Sequence, residues 1–318
     1  MEIIAKRLKF SVEKIEILTN EILKLPNIGK FKDSICIYAT GSFARGEASE
    51  YSDIDIFLLS KNYKTQNLDE IILKADLIRL IERLGLPEFS GDGEFLVIHS
   101  IEDIIENLGT KHDDYNNYFT ARLLLLLESK PLFNLELYNE AVIEILKVYF
   151  NDYEHHEESF APIFLANDII RFWKTMCLNY EEKKIKRTGD EVSKNKSRLK
   201  NLKLKFSRIT TCYSILCCLK QGKETTLENV QELIMKSPIE RLLHIKSIYG
   251  STVDIVDRML ELYEWFLEET GKEVKDVYNW IGIKENKENA FKNASEFHDL
   301  FYKLIEQTSK DLLKYYTI

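Results

Sequence analysis

Apolar positions along the chain fall into two regimes. From Ile3 to Leu25 they recur at helical spacing (Ile4, Leu8, Val12, Ile15, Ile17, Leu18, Ile22), and Pro26 ends the run, so a helix is predicted there. A short apolar stretch containing Ile35 and Ile37 stops at Gly41-Ser42, and a second, Ile54 to Leu59, carries Asp53 and Asp55 at its head. Two strands joined by a Gly-Ser turn and a short helix over Phe43 to Glu47 fit that pattern. Leu68 to Leu84 reads as a helix with Asp69 and Glu70 in its first turn, where they suit the helix dipole, and Gly85 and Pro87 close it. Gly91-Asp92-Gly93 leads into a third strand, Glu94 to Ser100, and Ser100 is a good N-cap for a following helix with Asp103 three residues on.

Beyond Leu135 glycine and proline thin out and amphipathic patterns follow one another. Helices are predicted over Leu135 to Phe150, Ala161 to Tyr180, Leu199 to Leu219, Thr226 to Met235, Ile239 to Ile248, Ser251 to Glu269 and Asn289 to Tyr315. A boundary between Pro131 and Leu135 gives an α+β organisation: a small mixed-sheet domain over 1–134 and an all-helical domain over 135–318.

Composition changes this picture little. With 318 residues, 45% hydrophobic and 30% charged, the chain has ample material for a core. The net charge of −8 argues against indiscriminate nucleic-acid binding. The densest apolar run, Leu123 to Leu127, is far short of the ~20 residues a membrane span needs. Charges in MEIIAKRLKFSVEK leave no signal-peptide core, and five cysteines without zinc-like spacing (Cys36, Cys177, Cys212, Cys217, Cys218) read as reduced thiols, so a cytoplasmic protein with no membrane partner is expected.

The chemistry concentrates between Tyr38 and Leu59. On a strand, Asp53 and Asp55 would point the same way, roughly 6 to 7 Å apart. Carboxylates that close repel unless cations sit between them, and hard oxygen ligands suit magnesium, with manganese in its place as the alternative. Gly41 and Ser42 would let the backbone approach a phosphate group. A polyphosphate cradle facing a metal pair suits attack of a hydroxyl on a nucleoside triphosphate (NTP), with ATP among the candidates, as two metals clamp the attacking and leaving oxygens. A P-loop is excluded, because Glu47 stands where lysine is required.

Gly41-Ser42, Gly46 and Ser52-Asp53-Ile54-Asp55 together resemble the signature of the DNA polymerase β nucleotidyltransferase superfamily. The resemblance implies that Gly41 and Ser42 hold the triphosphate, with Arg45 beside them, and that Asp53 and Asp55 bind metal. It also implies a third acid on a neighbouring strand, for which Glu94 is favoured over Asp92, completing the metal shell or accepting the proton of the attacking hydroxyl. The stretch from Ile98 to Ser100 and then Tyr118 to Asn134, with its Ala-Arg-Leu-Leu run and Pro-Leu-Phe turn, resembles bacterial PII-protein uridylyltransferases and their stand-alone relatives. Arg122 either reaches the site or lies on a helix surface, and His99 is expected to be a packed histidine.

Between Glu181 and Arg208 eleven basic residues face four acidic ones. Together with Asn167-Asp168 and Arg171 to Lys174, the segment Lys203 to Arg208 resembles the helical domain of the same relatives. Lys205 and Arg208 are therefore expected to meet the triphosphate or the acceptor, which is a protein, an RNA or a small molecule, with a protein slightly favoured. His112-Asp113 and His298-Asp299 spell the core of an HD phosphohydrolase but lack its other ligands at suitable spacing. The reading of another class is a nucleotide-binding regulatory protein without turnover.

Overall fold

The computed structural model describes all residues except 62–66, 88, 90–92, 94, 95, 187–189, 223, 224 and 318. The chain divides into two compact units, Ala5–Asn151 and Met1–Ile4 with Asp152–Ile318.

The first unit is built on a mixed sheet of four strands among the described residues, in the order β3-β2-β1-β4. Helix α1 (Glu2–Ile22) leads to β1 (Ile35–Thr40), the single-turn α2 (Gly41–Arg45), β2 (Asp55–Ser60) and α3 (Asn67–Arg83). Next come β3 (Ile98–Ser100), α4 (Ile101–Glu106), α5 (Lys111–Tyr115), α6 (Tyr118–Leu127), β4 (Lys130–Phe133) and α7 (Leu135–Tyr149). Strand β1 runs antiparallel to β2 and β4, whereas β2 and β3 are parallel.

Alternation splits β1 between two cores. Ile35, Ile37 and Ala39, with Ile56 and Leu58 opposite, pack with Leu18 and Ile22 of α1 and Leu73, Leu77 and Leu80 of α3. Tyr38 turns the other way, stacking on Phe57 at 5.7 Å and meeting Tyr138 of α7 at 6.1 Å. Every residue of β1 is buried, which explains why it reads as an apolar run without alternation.

Two differences from the sequence pattern have physical causes. The Pro-Leu-Phe turn expected after α6 is strand β4; Pro131 is tolerated because β4 is the sheet edge, where a missing donor breaks no interior ladder. Helix α7, read as the start of the helical half, lies inside the first unit, since its Tyr138 closes over β1. Ser100 caps α4 as expected, accepting from the Asp103 amide at 3.4 Å.

The second unit is helical: α8 (Ile163–Lys186), α9 (Glu191–Lys203), α10 (Ile209–Leu216), α11 (Leu227–Met235), α12 (Pro238–Ile248), α13 (Val253–Thr270), α14 (Val274–Gly282), α15 (Lys284–Thr308) and α16 (Leu313–Thr317). Its core centres on Phe206, which stacks on Phe266 at 4.8 Å and meets Phe297 at 4.7 Å. Leu204–Arg208 between α9 and α10 form a π-helical turn, so the single helix expected over Leu199 to Leu219 is interrupted by one inserted residue position. The whole is an α+β protein, with a small mixed sheet followed by helices.

Candidate active site

Strand β1 ends at Thr40, whose register partner is Asp55, the first residue of β2. The next residue, Gly41, has φ +71°, and a Cβ built on it would lie 2.8 Å from Asp55 Oδ2. Glycine is required here twice over, by the left-handed backbone and by the carboxylate against it. The bend and the acid are thus in direct contact.

Helix α2 starts at Gly41 and lasts one turn, rather than opening at Phe43. Gly46, at φ +75°, ends it: its amide donates to the Phe43 carbonyl at 3.2 Å, and the Glu47 amide donates to the Ser42 carbonyl at 2.8 Å. That hydrogen-bond pair is a Schellman closure. The loop that follows is tied down by the Ala48 amide on Ser11 Oγ (3.1 Å) and by the Ser49 amide on Ser52 Oγ (2.9 Å). Asp53 leaves this loop exposed, before the strand begins; Ile54 is fully buried and Asp55 half-buried. Ser42 is half-buried at the mouth of the bend.

Arg45, an expected nucleotide contact, is instead buried in the wall beneath the bend. Its Nε donates to Glu47 Oε2 at 3.0 Å and its Nη1 to Glu128 Oε2 at 2.5 Å, and all three side chains are at most 7% exposed. Both alternatives for Arg122 are likewise superseded: it is 1% exposed and forks onto Asp113 at 2.8 and 2.9 Å, while Tyr149 Oη accepts from its Nε at 2.8 Å. Asp113 is therefore the partner of an arginine, and the His112-Asp113 dipeptide has a structural explanation. His99 is packed edge-on against Tyr118 at 5.8 Å, and burial lowers its pKa against the pull of Asp103. Glu94 and Asp92 lie outside the described residues.

In the helical unit, Arg208 and Lys205 separate. Arg208 lines a cleft of about 280 Å³ with Lys183, Lys200, Lys203 and Tyr180, whereas Lys205 sits near Cys177 and His298. The π turn is the cause, since an extra residue per turn rotates the two cations off the shared helical face. Cys36, Cys212 and Cys217 are buried, and the Cys36 thiol is pushed up to about 12 by burial, which fits inert reduced thiols.

No described residues form a group of three metal-ligating side chains. The donor chemistry nevertheless fits magnesium: Asp55 offers hard oxygens against the bend and Asp53, two residues before it, is exposed, and magnesium commonly takes one or two carboxylates, filling its shell with water and phosphate oxygens. Among the described residues, no helix is long and apolar enough to cross a membrane.

Residues 8–94, which contain the bend and both aspartates, match the model of the nucleotidyltransferase domain. Over 55 residues the chain is 38% identical to "Putative protein adenylyltransferase MJ1305" of Methanocaldococcus jannaschii, a stretch covering 17% of this chain. It covers 37% of that protein's length, so the likeness is to part of the relative.

Proposed function

We propose that this chain, whose residues 8–94 match a nucleotidyltransferase domain, transfers a nucleoside monophosphate from an NTP to a hydroxyl of an acceptor. The acceptor oxygen forms a bond to the α-phosphorus, the bond to the bridging α–β oxygen breaks, and pyrophosphate leaves. The observation that carries this reading is the Asp55 carboxylate seated against the Gly41 bend.

Gly41 and Ser42 receive the β and γ phosphates, because no side chain at 41 stands between the backbone and the ligand. Asp53 and Asp55 would hold a divalent ion beside the reacting phosphate, and magnesium bound there would supply charge neutralisation for the leaving pyrophosphate. Glu94 takes the proton of the attacking hydroxyl. Arg45 acts on the bend through Glu47 and Glu128 rather than on the nucleotide. A protein acceptor is favoured, supported by the adenylyltransferase name of the relative over the matching stretch.

The test is incubation with each NTP labelled at the α-phosphate, magnesium or manganese, and cell extract. Label on a macromolecule, lost in a variant carrying Asp53→Ala with Asp55→Ala, supports the transferase. Nucleotide binding with no transfer to protein, RNA or small molecule would replace it with the regulatory reading.

A further inference from the structure

A second recess, of about 260 Å³, opens in the helical unit between the turn after α10, helix α11 and helix α12. Its floor is apolar, with Leu219, Val230 and Ile245 at most 2% exposed. Lys220, Lys236 and His244 converge on it, and Glu232 is the carboxylate among its lining residues. Its size is close to the lower end of small-molecule sites, about 300 Å³, and an apolar floor with a few converging polar groups is their usual makeup.

We propose that this recess binds a phosphate monoester carrying an apolar or aromatic group. A phosphate dianion matches the two ammonium groups in charge, and the ester's organic part fits the floor. The walls are preformed. Arg241, fully buried, donates to the carbonyls of Leu233 (2.9 Å) and Ile234 (3.0 Å), stapling α12 to the end of α11. Ser237 and Glu240 close a reciprocal capping box directly after Lys236. Lys220 Nζ is steadied over the Tyr249 ring, 5.7 Å from its centre.

The electrostatics of His244 agree with this placement. Burial, then Lys236 and Lys220, lower its pKa, while Glu232 opposes them. An arriving dianion offsets the positive field of the two lysines, which raises the imidazole's pKa and favours its protonated form, a further donor. The Cys218 thiol, pushed up to about 12 by burial, stays protonated and adds no competing charge.

The experiment is a pH titration of the His244 ring resonances in the full chain, identified from a His244→Gln variant, with phenyl phosphate, inorganic phosphate or phenol added to about 10 mM. Phenyl phosphate should raise the His244 pKa and bind at least about tenfold more tightly than inorganic phosphate or phenol. Lys220→Ala with Lys236→Ala should weaken it by about tenfold or more, with Lys236→Gln as the milder variant, while Asp55→Asn leaves it unchanged. A His244 pKa unmoved by phenyl phosphate, equal binding of phenol, or unaltered affinity in both lysine variants would overturn the proposal. Because the readout is binding at His244, it stands or falls separately from nucleotide transfer.

Discussion

Asp55 Oδ2 lies 2.8 Å from the point at which a Cβ on Gly41 would stand, so the carboxylate already fills the space that a side chain at 41 would need. Gly41→Ala must then strain a left-handed backbone, at about 1–2 kcal/mol, and displace the carboxylate as well. Transfer activity should fall more than tenfold, alongside a lowered melting temperature. A pyrophosphate-release assay with thermal denaturation checks both; full activity in Gly41→Ala would show that the carboxylate's position does not matter.

The two aspartates should separate in stability while agreeing in activity. Asp53 is exposed in a loop, whereas Asp55 is half-buried at the head of β2. Asp53→Asn should leave unfolding free energy within about 0.5 kcal/mol of the parent. Both Asp53→Asn and Asp55→Asn should reduce turnover by about 10³-fold, the scale of a lost metal ligand, and weaken manganese binding followed by paramagnetic relaxation.

Much of this site is written in local sequence. The runs at Ile35 and Ile54 bracket the bend, Gly41 and Gly46 mark the two left-handed positions, and Ser100 announces α4. Other parts depend on pairings no window can contain. Arg45 finds Glu128 83 residues away, so its burial is invisible from the turn in which it sits. Strand β4 hides behind Pro131, and only its place at the sheet edge makes it permissible. The π turn leaves the apolar pattern of Leu199 to Leu219 nearly continuous, yet it moves Lys205 and Arg208 apart. Helix α14 is missed although five of its nine residues are apolar, because Glu273 before it makes no side-chain cap and so announces no start.

The buried Arg45 guanidinium pairs with two buried carboxylates, Glu47 and Glu128. Arg45→Met takes the guanidinium from both acids and should cost about 3–5 kcal/mol, as breaking a buried ion pair does. Glu128→Gln keeps the shape and an oxygen acceptor for the guanidinium, and leaves the Glu47 pair in place, so it should cost markedly less. Arg45→Lys should fall between them, since a point charge cannot fork to both partners. Urea unfolding of the three variants checks the order; equal losses in Arg45→Met and Glu128→Gln would show that the arginine's two pairings are not what holds the wall.

His298 gives the fold a dependence on acid. Its ring meets Trp173 at 6.4 Å, and Nε2 is buried with no hydrogen-bond partner among the described residues. Burial first, and the charge of Lys205 second, lower its pKa to about 4, against a hydrogen bond to the Lys205 backbone and the charge of Asp299. Above the ordinary histidine value near 6.5 the ring is neutral in both folded and unfolded chains and contributes no pH dependence. Between there and about 4 the unfolded chain takes up a proton that the native state refuses, so stability falls as pH falls, by at most about 1.4 kcal/mol per unit, lessened by partial solvent access. His298→Asn removes this proton uptake. His99 and His244 also have lowered values, so the quantity to measure is the difference in unfolding free energy between the parent and His298→Asn at pH 7.5, 6, 5 and 4.5, in which their contributions cancel. That difference should be constant above about pH 7 and should shift steadily in favour of His298→Asn below 6.5, and a flat difference across the range would mean the ring titrates normally in the folded chain.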